Sequence, residues 1–307
     1  MNNKKNKPLV SVLMPVYNVQ TYVSEAIESI LRQTYKNYEL IIVDDASTDD
    51  SWKIISEYKK KYPNKIIAKR LGKNRNAGGD IAGNMAFKIS KGEYVARMDA
   101  DDIAFPARFE KQVAYLQTHP KCMVLGSQAV VIDSNGEQIG KKRVPVSHGE
   151  IYEEYFKFHP MIHPTLMIRR SMVEGKDLYD LRWLTNNDYL TFFGYLTDGK
   201  IFRNLGESLL YYRIHGKNDS LSGIKKKFIN SLKTRWVAVT EFGYKPSVQA
   251  VMTLFIQTGA FIVLPEMMLY QIYLLVKKII TPIELVKNLT PFEWSRLESP
   301  VWLTKEA

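Results

Sequence analysis

Three carboxylates crowd into four positions of this sequence, at Asp99, Asp101 and Asp102, in the stretch 97–102 that directly follows the apolar run 94–96. The apolar run is typical of a buried strand, and like charges at its end must each stay hydrated or paired. An Asp-x-Asp spacing offers hard oxygen ligands to Mg²⁺ or Mn²⁺, and these ions in turn hold phosphates. The simpler interpretation is an acidic loop that caps the next helix.

The elements that would position these carboxylates alternate between strand and helix over residues 8–120. The strand candidates are Leu9 to Met14, Glu39 to Val43, Ile66 to Arg70 and Tyr94 to Met98. Helical spacing of apolar residues marks 21–33, 49–62 and 80–90, and Pro106 opens a further helix to about Gln117. This alternation predicts right-handed crossovers and a mostly parallel sheet with helices on both faces.

Parallel sheets of this kind bind ligands at the carboxyl ends of their strands. A second acidic pair, Asp44 and Asp45, follows the strand candidate 39–43 and therefore falls at the same edge as Asp99 and Asp101. We expect Asp44 to be structural and Asp45 to face a ligand. The sequence thus predicts one ligand site at one edge of the sheet.

Later residues divide into two parts. Residues 121–223 carry strand candidates at 124–132, 164–169 and 209–214, and a helix candidate at 187–196. We assign 1–223 to a catalytic domain, with a nucleotide-binding half at about 8–120 and an acceptor half at 121–223. Residues 224–307 form a C-terminal helical region.

The C-terminal region opens with a basic helix, 225–242, and continues with two apolar stretches, 248–264 and 267–280. Each stretch is shorter than the roughly 20 apolar residues that a spanning helix needs. Both carry a narrow polar stripe, which in the first consists of Gln249, Thr253 and Gln257. They can form a helical subdomain, or residues 246–281 can lie in a membrane interface as a monotopic hairpin.

The composition of the chain limits the classes of partner that we expect it to bind. The net charge is +11, and the chain has one cysteine, Cys122, so no intrachain disulfide can form. A single cysteine fits a reducing compartment, and the N-terminal apolar run, 9–14, is too short for a signal peptide. A basic chain can bind nucleic acid, anionic lipid or a phosphate-bearing substrate. Its lysine clusters are not interleaved with aromatic residues, so we expect no nucleic acid partner.

Several motifs occur in a fixed order across residues 8–220. They are Val10 to Asn18, Gln33-Thr34-Tyr35, Glu39 to Asp49, Asn76-Ala77-Gly78, and Gly92 to Asp102 followed by Pro106, Arg108 and Gln112. As an ordered set they resemble the family 2 glycosyltransferases, an inverting, nucleotide-sugar-dependent group. The resemblance implies a GT-A fold, which is an α/β Rossmann-like, mostly parallel sheet with helices on both faces, here followed by the C-terminal helical region.

The resemblance also assigns donor-binding residues. Pro15 and Tyr17 would border the nucleotide base, because an aromatic ring offers a flat stacking surface; the alternative is a packed turn tyrosine. Asp45 would accept a hydrogen bond from a uracil imide N–H, or else cap a helix. Asn76 belongs to the Asn-Ala-Gly motif and joins the donor site, and Arg213 would reach the diphosphate.

The same resemblance assigns metal ligands and a general base. Asp101 would be the direct ligand of Mn²⁺ or Mg²⁺, with Asp99 touching ribose or metal and His215 as a further ligand; a structural role for His215 stays open. Asp102 would cap the next segment or bind Arg97 or Arg108. Asp188, at the start of a predicted helix, would take the proton from the acceptor hydroxyl, and its alternative role is an N-cap.

Two positions depart from the family pattern. Gly83 stands where relatives often have Arg or Lys, which puts a phosphate or base contact there in doubt; Arg75 or Lys73 are possible substitutes. Asn187 stands where the family usually has Glu. His163, in the His-Pro-Thr that precedes a strand, is a candidate for acceptor binding.

These observations predict a metal-dependent inverting glycosyltransferase of the hexosyltransferase class. It would move a hexose or N-acetylhexosamine from a nucleotide-sugar, UDP-linked by the resemblance, to a hydroxyl of a glycan or lipid-linked glycan precursor in polysaccharide biosynthesis. We expect a cytoplasmic protein, peripheral at the inner face of the cell membrane.

Two other functions stay open at this point. One is a catalytically silent GT-A scaffold or glycan-binding protein, against which the joint presence of Asp99, Asp101 and Asp188 argues. The other is a sugar-phosphate nucleotidyltransferase, which would need a Gly-rich loop with Arg and Lys after the first strand, and residues 15–18 are not such a loop.

Overall fold

The computed structural model describes residues 7–75, 79–175, 177–183, 186–215, 224–265, 268–269 and 275. These residues form one nine-stranded sheet and eight α-helices. The predicted mostly parallel α/β architecture is confirmed, and its sheet also contains antiparallel pairs.

Four parallel strands make up the N-terminal half of the sheet. They are β1 (Val10–Val16), β2 (Tyr38–Asp44), β3 (Ile66–Arg70) and β4 (Tyr94–Arg97), in the spatial order β3-β2-β1-β4. The helices between them are α1 (Val23–Leu31), α2 (Ser51–Lys61) and α3 (Asp80–Ile89). Val16 on β1 lies opposite Asp44 on β2, so both strands end at the same edge.

Antiparallel pairing joins the second half of the sheet to the first. Its elements are β5 (Ile103–Ala104), α4 (Arg108–Thr118), β6 (Cys122–Ile132), β7 (Gln138–Lys142), α5 (His148–Tyr155), β8 (Met167–Arg169), α6 (Asn187–Thr197) and β9 (Ile201–Arg213). β8 pairs antiparallel with both β4 and β6, whereas β6 and β9 run parallel. One continuous sheet therefore carries both halves of the predicted catalytic domain.

Two hydrophobic cores lie on opposite faces of this sheet, because successive side chains of a strand point to opposite faces. Val12 and Met14 of β1 pack into one core with apolar residues of α1 and α4. Leu13 packs into the other core with residues of α3 and α6, such as Ala86 and Phe192. The helices thus cover both faces, as the alternating pattern predicted.

A buried polar contact fixes the strand that carries the acidic motif. Arg108 of α4 is fully buried, and its guanidinium donates to the carbonyl of Arg97 at 2.7 Å. The next turn of α4 supplies Gln112, which donates to the carbonyl of Thr165 at 2.7 Å. Burial lowers the pKa of Arg108 to about 9. Together the two side chains tie the end of β4 to the segment that leads into β8.

Three elements are absent from the sequence predictions: β5, β7 and α5. α5 begins with a capping box in which Ser147 and Glu150 bond each other's backbone N–H groups. The strand predicted at 209–214 is the end of a longer strand, β9, that begins at Ile201. Short elements of this kind have too few residues to show a period.

Helices α7 (Ile224–Thr240) and α8 (Val248–Val263) confirm two of the C-terminal predictions. The second apolar stretch, 267–280, lies almost entirely outside the described residues. Within the described part of the chain, no helix combines the length and the apolar character needed to cross a bilayer.

Candidate active site

The loops after β1 and β2 form the first part of the site. Pro15 is buried and Tyr17 is 45% exposed. The backbone N–H of Asp45 donates to the carbonyl of Val16 at 2.8 Å, which brings the two loops together. The Asp45 carboxylate accepts the backbone N–H of Arg75 at 3.2 Å, and burial raises the pKa of Asp45. An exposed ring and a carboxylate therefore lie at adjoining strand ends.

Asp44 supports this loop from within the protein. Its carboxylate is fully buried and lies 3.1 Å from Nε of Arg70. It also accepts hydrogen bonds from the backbone and hydroxyl of Ser47. Between them Ala46 has a φ of 59°, a left-handed backbone conformation that these bonds stabilise. Asp44 thus has the structural role that the sequence suggested.

The Asp99 to Asp102 segment follows β4. Nη2 of Arg97 lies 2.8 Å from Oδ1 of Asp99, and Nε2 of His215 lies 3.0 Å from Oδ2 of Asp101. Asp102 is buried, and its Oδ1 accepts the backbone N–H of Arg213 at 2.8 Å. Asp102 therefore binds the backbone of Arg213, whereas the sequence predicted that it caps the next segment or pairs with the side chain of Arg97 or Arg108.

The three aspartates fit a divalent cation. One carboxylate oxygen from each lies within 4.8 Å of the others, and carboxylate oxygens are the ligands that Mg²⁺ and Mn²⁺ prefer. Oδ2 of Asp102 is buried and has no hydrogen-bond partner among the described residues. Burial, together with the charges of Asp101 and Asp99, raises the pKa of Asp102 well above its usual range. A cation would relieve this concentration of negative charge.

Arg213 and His215 lie beside the cluster at the end of β9. The Arg213 guanidinium donates to the carbonyl of Asp101 at 2.9 Å and forms an ion pair with Glu25 of α1. In this arrangement Arg213 anchors the acidic loop, and its predicted contact with a diphosphate stays a prediction. The other predicted donor residue, Asn76, lies outside the described residues.

Asp188, in the first turn of α6, lies between two histidines. Its Oδ2 is 3.6 Å from Nε2 of His159 and 3.9 Å from Nδ1 of His163. Nε2 of His163 is 2.8 Å from the hydroxyl of Tyr179. The candidate base therefore lies among imidazole and phenol groups, and the structure brings together His163 and Asp188, which the sequence singled out separately.

Both departures from the family pattern have a physical explanation. Asn187 is fully buried and donates to the Asp80 carboxylate of α3 at 3.0 Å, where a glutamate would add a like charge. A Cβ at Gly83 would lie 2.9 Å from Cε2 of the Tyr179 ring, so that ring occupies the space a larger side chain would need.

The sequence did not predict two ionisable groups that lie near the site, His159 and Lys142. His159 lies in a loop with no motif around it. Lys142 lies at the end of an unpredicted strand, 3.9 Å from the centre of the Tyr212 ring. Burial lowers the pKa of Lys142 to about 8, while the charges of Asp102 and Asp99 act in the opposite direction. The capping box of Ser147 and Glu150 is a sequence signal that could have predicted α5, the helix between Lys142 and His159.

Comparisons with known proteins agree on the family to which the chain belongs. Residues 11–175 match the family described as Glycosyl transferase family 2. An uncharacterized glycosyltransferase of Methanocaldococcus jannaschii is 36% identical over 242 residues, which cover 77% of this chain and 82% of that protein. The Escherichia coli UDP-Glc:alpha-D-GlcNAc-diphosphoundecaprenol beta-1,3-glucosyltransferase WfaP is 28% identical over 218 residues, covering 71% and 82%.

Among solved structures, S. aureus TarS 1-349 in complex with UDP-GlcNAc superposes with a TM-score of 0.65 at 19% identity. The match covers 92% of this chain and 81% of that chain. At 19% identity this similarity is evidence for the fold alone, and it confirms the predicted GT-A fold.

The buried state of His163 predicts an acid-sensitive stability. Burial, with Arg97 and His159 assisting and Asp188 opposing, lowers the pKa of His163 to about 3, whereas an unfolded histidine titrates near its ordinary value of about 6.5. Below about pH 6.5 the unfolded chain therefore binds a proton at His163 that the folded chain does not bind. The free energy of unfolding consequently falls as pH decreases, by up to about 1.4 kcal/mol per pH unit.

His163→Asn should make the dependence of the free energy of unfolding on pH less steep between pH 7 and pH 5. Urea denaturation at several pH values measures this, with exposed His119→Asn as the matched control. An unchanged pH dependence in His163→Asn would contradict the prediction.

Proposed function

Because the chain belongs to glycosyl transferase family 2, we propose that it is a metal-dependent, inverting enzyme acting on a UDP-sugar. It transfers a hexose or N-acetylhexosamine to a hydroxyl of a glycan or lipid-linked glycan precursor. The observation that carries the proposal is the arrangement around Arg97. This buried cation pairs with Asp99 at 2.8 Å, and Asp99 and Asp188 both raise its pKa against the effect of burial, which supports one site that contains the acidic cluster and the candidate base.

Two comparisons favour a UDP-linked donor: the name of the Escherichia coli relative specifies UDP-Glc, and TarS was crystallised with UDP-GlcNAc. The chain's own residues agree with this choice. Tyr17 offers an exposed ring for a base, and the nearby Asp45 carboxylate can accept from a uracil imide.

Asp99 and Asp101 would hold the metal, with Asp102 and His215 adjoining them. When bound, a divalent cation neutralises the diphosphate that leaves with the nucleotide. Arg97 adds a fixed positive charge beside Asp99, and Arg108 beneath it holds the end of β4 in place.

In the proposed reaction, Asp188 accepts a proton from the acceptor hydroxyl. A sugar hydroxyl is a weak nucleophile, so Asp188 takes its proton as the oxygen bonds the anomeric carbon and the bond to the nucleotide diphosphate breaks. Both histidines lie near Oδ2, and we infer that Oδ1 faces the acceptor. A single displacement of this kind inverts the anomeric configuration.

The alternative functions receive less support. A nucleotidyltransferase would need a Gly-rich phosphate loop after β1, where this chain has Pro15 and the exposed Tyr17. A silent scaffold would have no use for a base flanked by two histidines or for three converging aspartates, each of which costs desolvation free energy.

The first test concerns the metal. Asp101→Asn should fold normally, abolish Mn²⁺-dependent turnover of a UDP-sugar and weaken UDP binding, because one hard ligand is lost. A panel of nucleotide-sugars assayed for metal-dependent transfer or hydrolysis makes the measurement. Asp177→Asn, which removes a carboxylate paired with Lys88 on the surface, is the control. Full activity of Asp101→Asn, or of the unaltered protein in excess chelator, would remove the metal from the mechanism.

The second test concerns the base. Asp188→Asn preserves shape and should leave UDP-sugar binding close to unchanged while kcat falls by roughly two to four orders of magnitude. Asp198→Asn, an exposed position just after the other end of α6, should behave like the unaltered protein. If only donor affinity falls, Asp188 is a binding residue.

We further propose that α8 attaches the enzyme to a membrane surface. Its residues Val248, Phe255 and Ile262 are 81%, 69% and 79% exposed, and their spacing puts them on one helical face together with Met252, Ile256 and Val263. Gln257 of the polar stripe turns inward instead and donates to the carbonyl of Lys157 at 3.1 Å. An outward apolar face of this kind suits a lipid interface.

A membrane location also suits a lipid-linked acceptor, and exposed lysines such as Lys226 and Lys233 of α7 favour anionic lipid, by about 1 kcal/mol for each lysine near the surface. The double variant Phe255→Ser/Ile256→Ser should reduce co-sedimentation with anionic liposomes, and high salt should weaken binding of the unaltered protein. Ile139→Ser, an exposed residue of β7, is the control. Equal binding of the double variant and the control would exclude α8 as the attachment site.

A further inference from the structure

Tyr179 is held unusually firmly for a residue outside any helix or strand. Both of its backbone groups bond the Asn84 side chain of α3, with the Asn84 amide donating at 2.9 Å and its carbonyl oxygen accepting at 2.8 Å. The ring is buried above Gly83, where a Cβ would come within 2.9 Å of Cε2. α3 therefore fixes both the main chain and the ring of Tyr179.

The Tyr179 hydroxyl reaches a histidine that faces the candidate base. It lies 2.8 Å from Nε2 of His163, and Nδ1 of the same ring lies 3.9 Å from Oδ2 of Asp188. The charged or titratable groups around this imidazole are Asp188, Arg97, His159 and Tyr179 itself. With its pKa lowered to about 3 by burial, the imidazole is neutral and carries one N–H.

Two neighbours of His163, the Asp188 carboxylate and the Tyr179 hydroxyl, favour the same ring nitrogen as the site of that proton. An Nδ1–H pointing toward the Asp188 carboxylate is attractive, whereas a lone pair in that place is repelled. A Tyr179 hydroxyl that donates to Nε2 requires the same tautomer, because a ring nitrogen that accepts a hydrogen bond carries no proton. Burial raises the pKa of Tyr179 above its usual range, so this phenol keeps its proton.

His159 approaches the same carboxylate oxygen from the other side. Its Nδ1 accepts the backbone N–H of Met161 at 3.3 Å, which leaves Nε2 as the protonated nitrogen, and the Tyr155 hydroxyl lies 3.4 Å from that Nε2. That Nε2 lies 3.6 Å from Oδ2 of Asp188. Ring nitrogens of both histidines therefore face Oδ2, at distances longer than a direct hydrogen bond.

We propose that Tyr179 is a positioning residue for the general base: its hydroxyl sets the tautomer of His163, and His163 and His159 together hold Oδ2 so that Oδ1 of Asp188 faces the acceptor hydroxyl. The proposal rests on the proposed function of Asp188. It also gives Gly83 a purpose, because only the smallest residue leaves room for the ring of Tyr179 at this place.

Kinetics gives the first test. Tyr179→Phe removes one oxygen and should lower kcat about tenfold, the lower end of the effect seen when an orienting partner is lost, with KM for the UDP-sugar unchanged. Tyr244→Phe is the matched control, since Tyr244 is also buried and its hydroxyl donates to the carbonyl of Tyr152 at 3.0 Å. In a His163→Asn background, Tyr179→Phe should have no further effect, because the two residues act as one unit.

A second measurement needs no turnover. The nitrogen-15 shifts of the imidazole rings in the full-length protein at pH 7 distinguish protonated from bare ring nitrogens, and His163→Asn assigns one of the five histidines. We expect the Nδ1–H tautomer for His163, altered in Tyr179→Phe and retained in Tyr244→Phe. An Nε2–H tautomer in the unaltered protein would overturn the proposal.

The outcomes separate the two levels of inference. If the unaltered protein transfers no sugar from any nucleotide-sugar, the proposed function fails while the tautomer measurement still stands. If Asp188→Asn abolishes transfer and Tyr179→Phe keeps full kcat, the proposed function survives and the role of Tyr179 is refuted.

Discussion

The ion pair of the buried Arg97 guanidinium with Asp99 places a fixed positive charge beside the acidic cluster at the end of β4. Arg97 is 4% exposed and pairs with Asp99, and although burial opposes its charge, the neighbouring acids Asp99, Asp80 and Asp188 raise its pKa. Carboxylates this close together would otherwise protonate or repel one another. The fixed charge at the end of β4 therefore offsets part of the negative charge of the acidic cluster.

Helix α3 connects the N-terminal half of the sheet to the surroundings of Asp188. Asp80, in its first turn, accepts from Asn187 beside the candidate base, and Asn84, one turn later, clamps the backbone of Tyr179. The pairing of β8 with both β4 and β6 completes the connection through the sheet. Substitutions on α3 can consequently affect the surroundings of Asp188, although the helix belongs to the N-terminal half of the sheet.

Much of the fold could be predicted because its signals are local. The alternation of strand and helix over 8–120 requires only neighbouring residues, and the observed β1 to β4 lie within a few residues of their predicted positions. The antiparallel insertion of β8 could not be predicted, since three residues carry no register information. Which face of α8 meets the protein was also undetermined, because an apolar stretch with a polar stripe permits either orientation.

The sequence by itself determined that acids end two strands of a parallel sheet, because residues adjacent in the chain stay adjacent after folding. Only the tertiary structure decided what those acids meet. Asp102 bonds Arg213 across 111 positions of chain, and Asn187 bonds Asp80 across 107. Likewise, His159, His163, Tyr179 and Asp188 share no motif, and they converge because α6 and the loop before β8 pack on the same face of the sheet. Contacts of this kind depend on packing, which no local pattern of residues records.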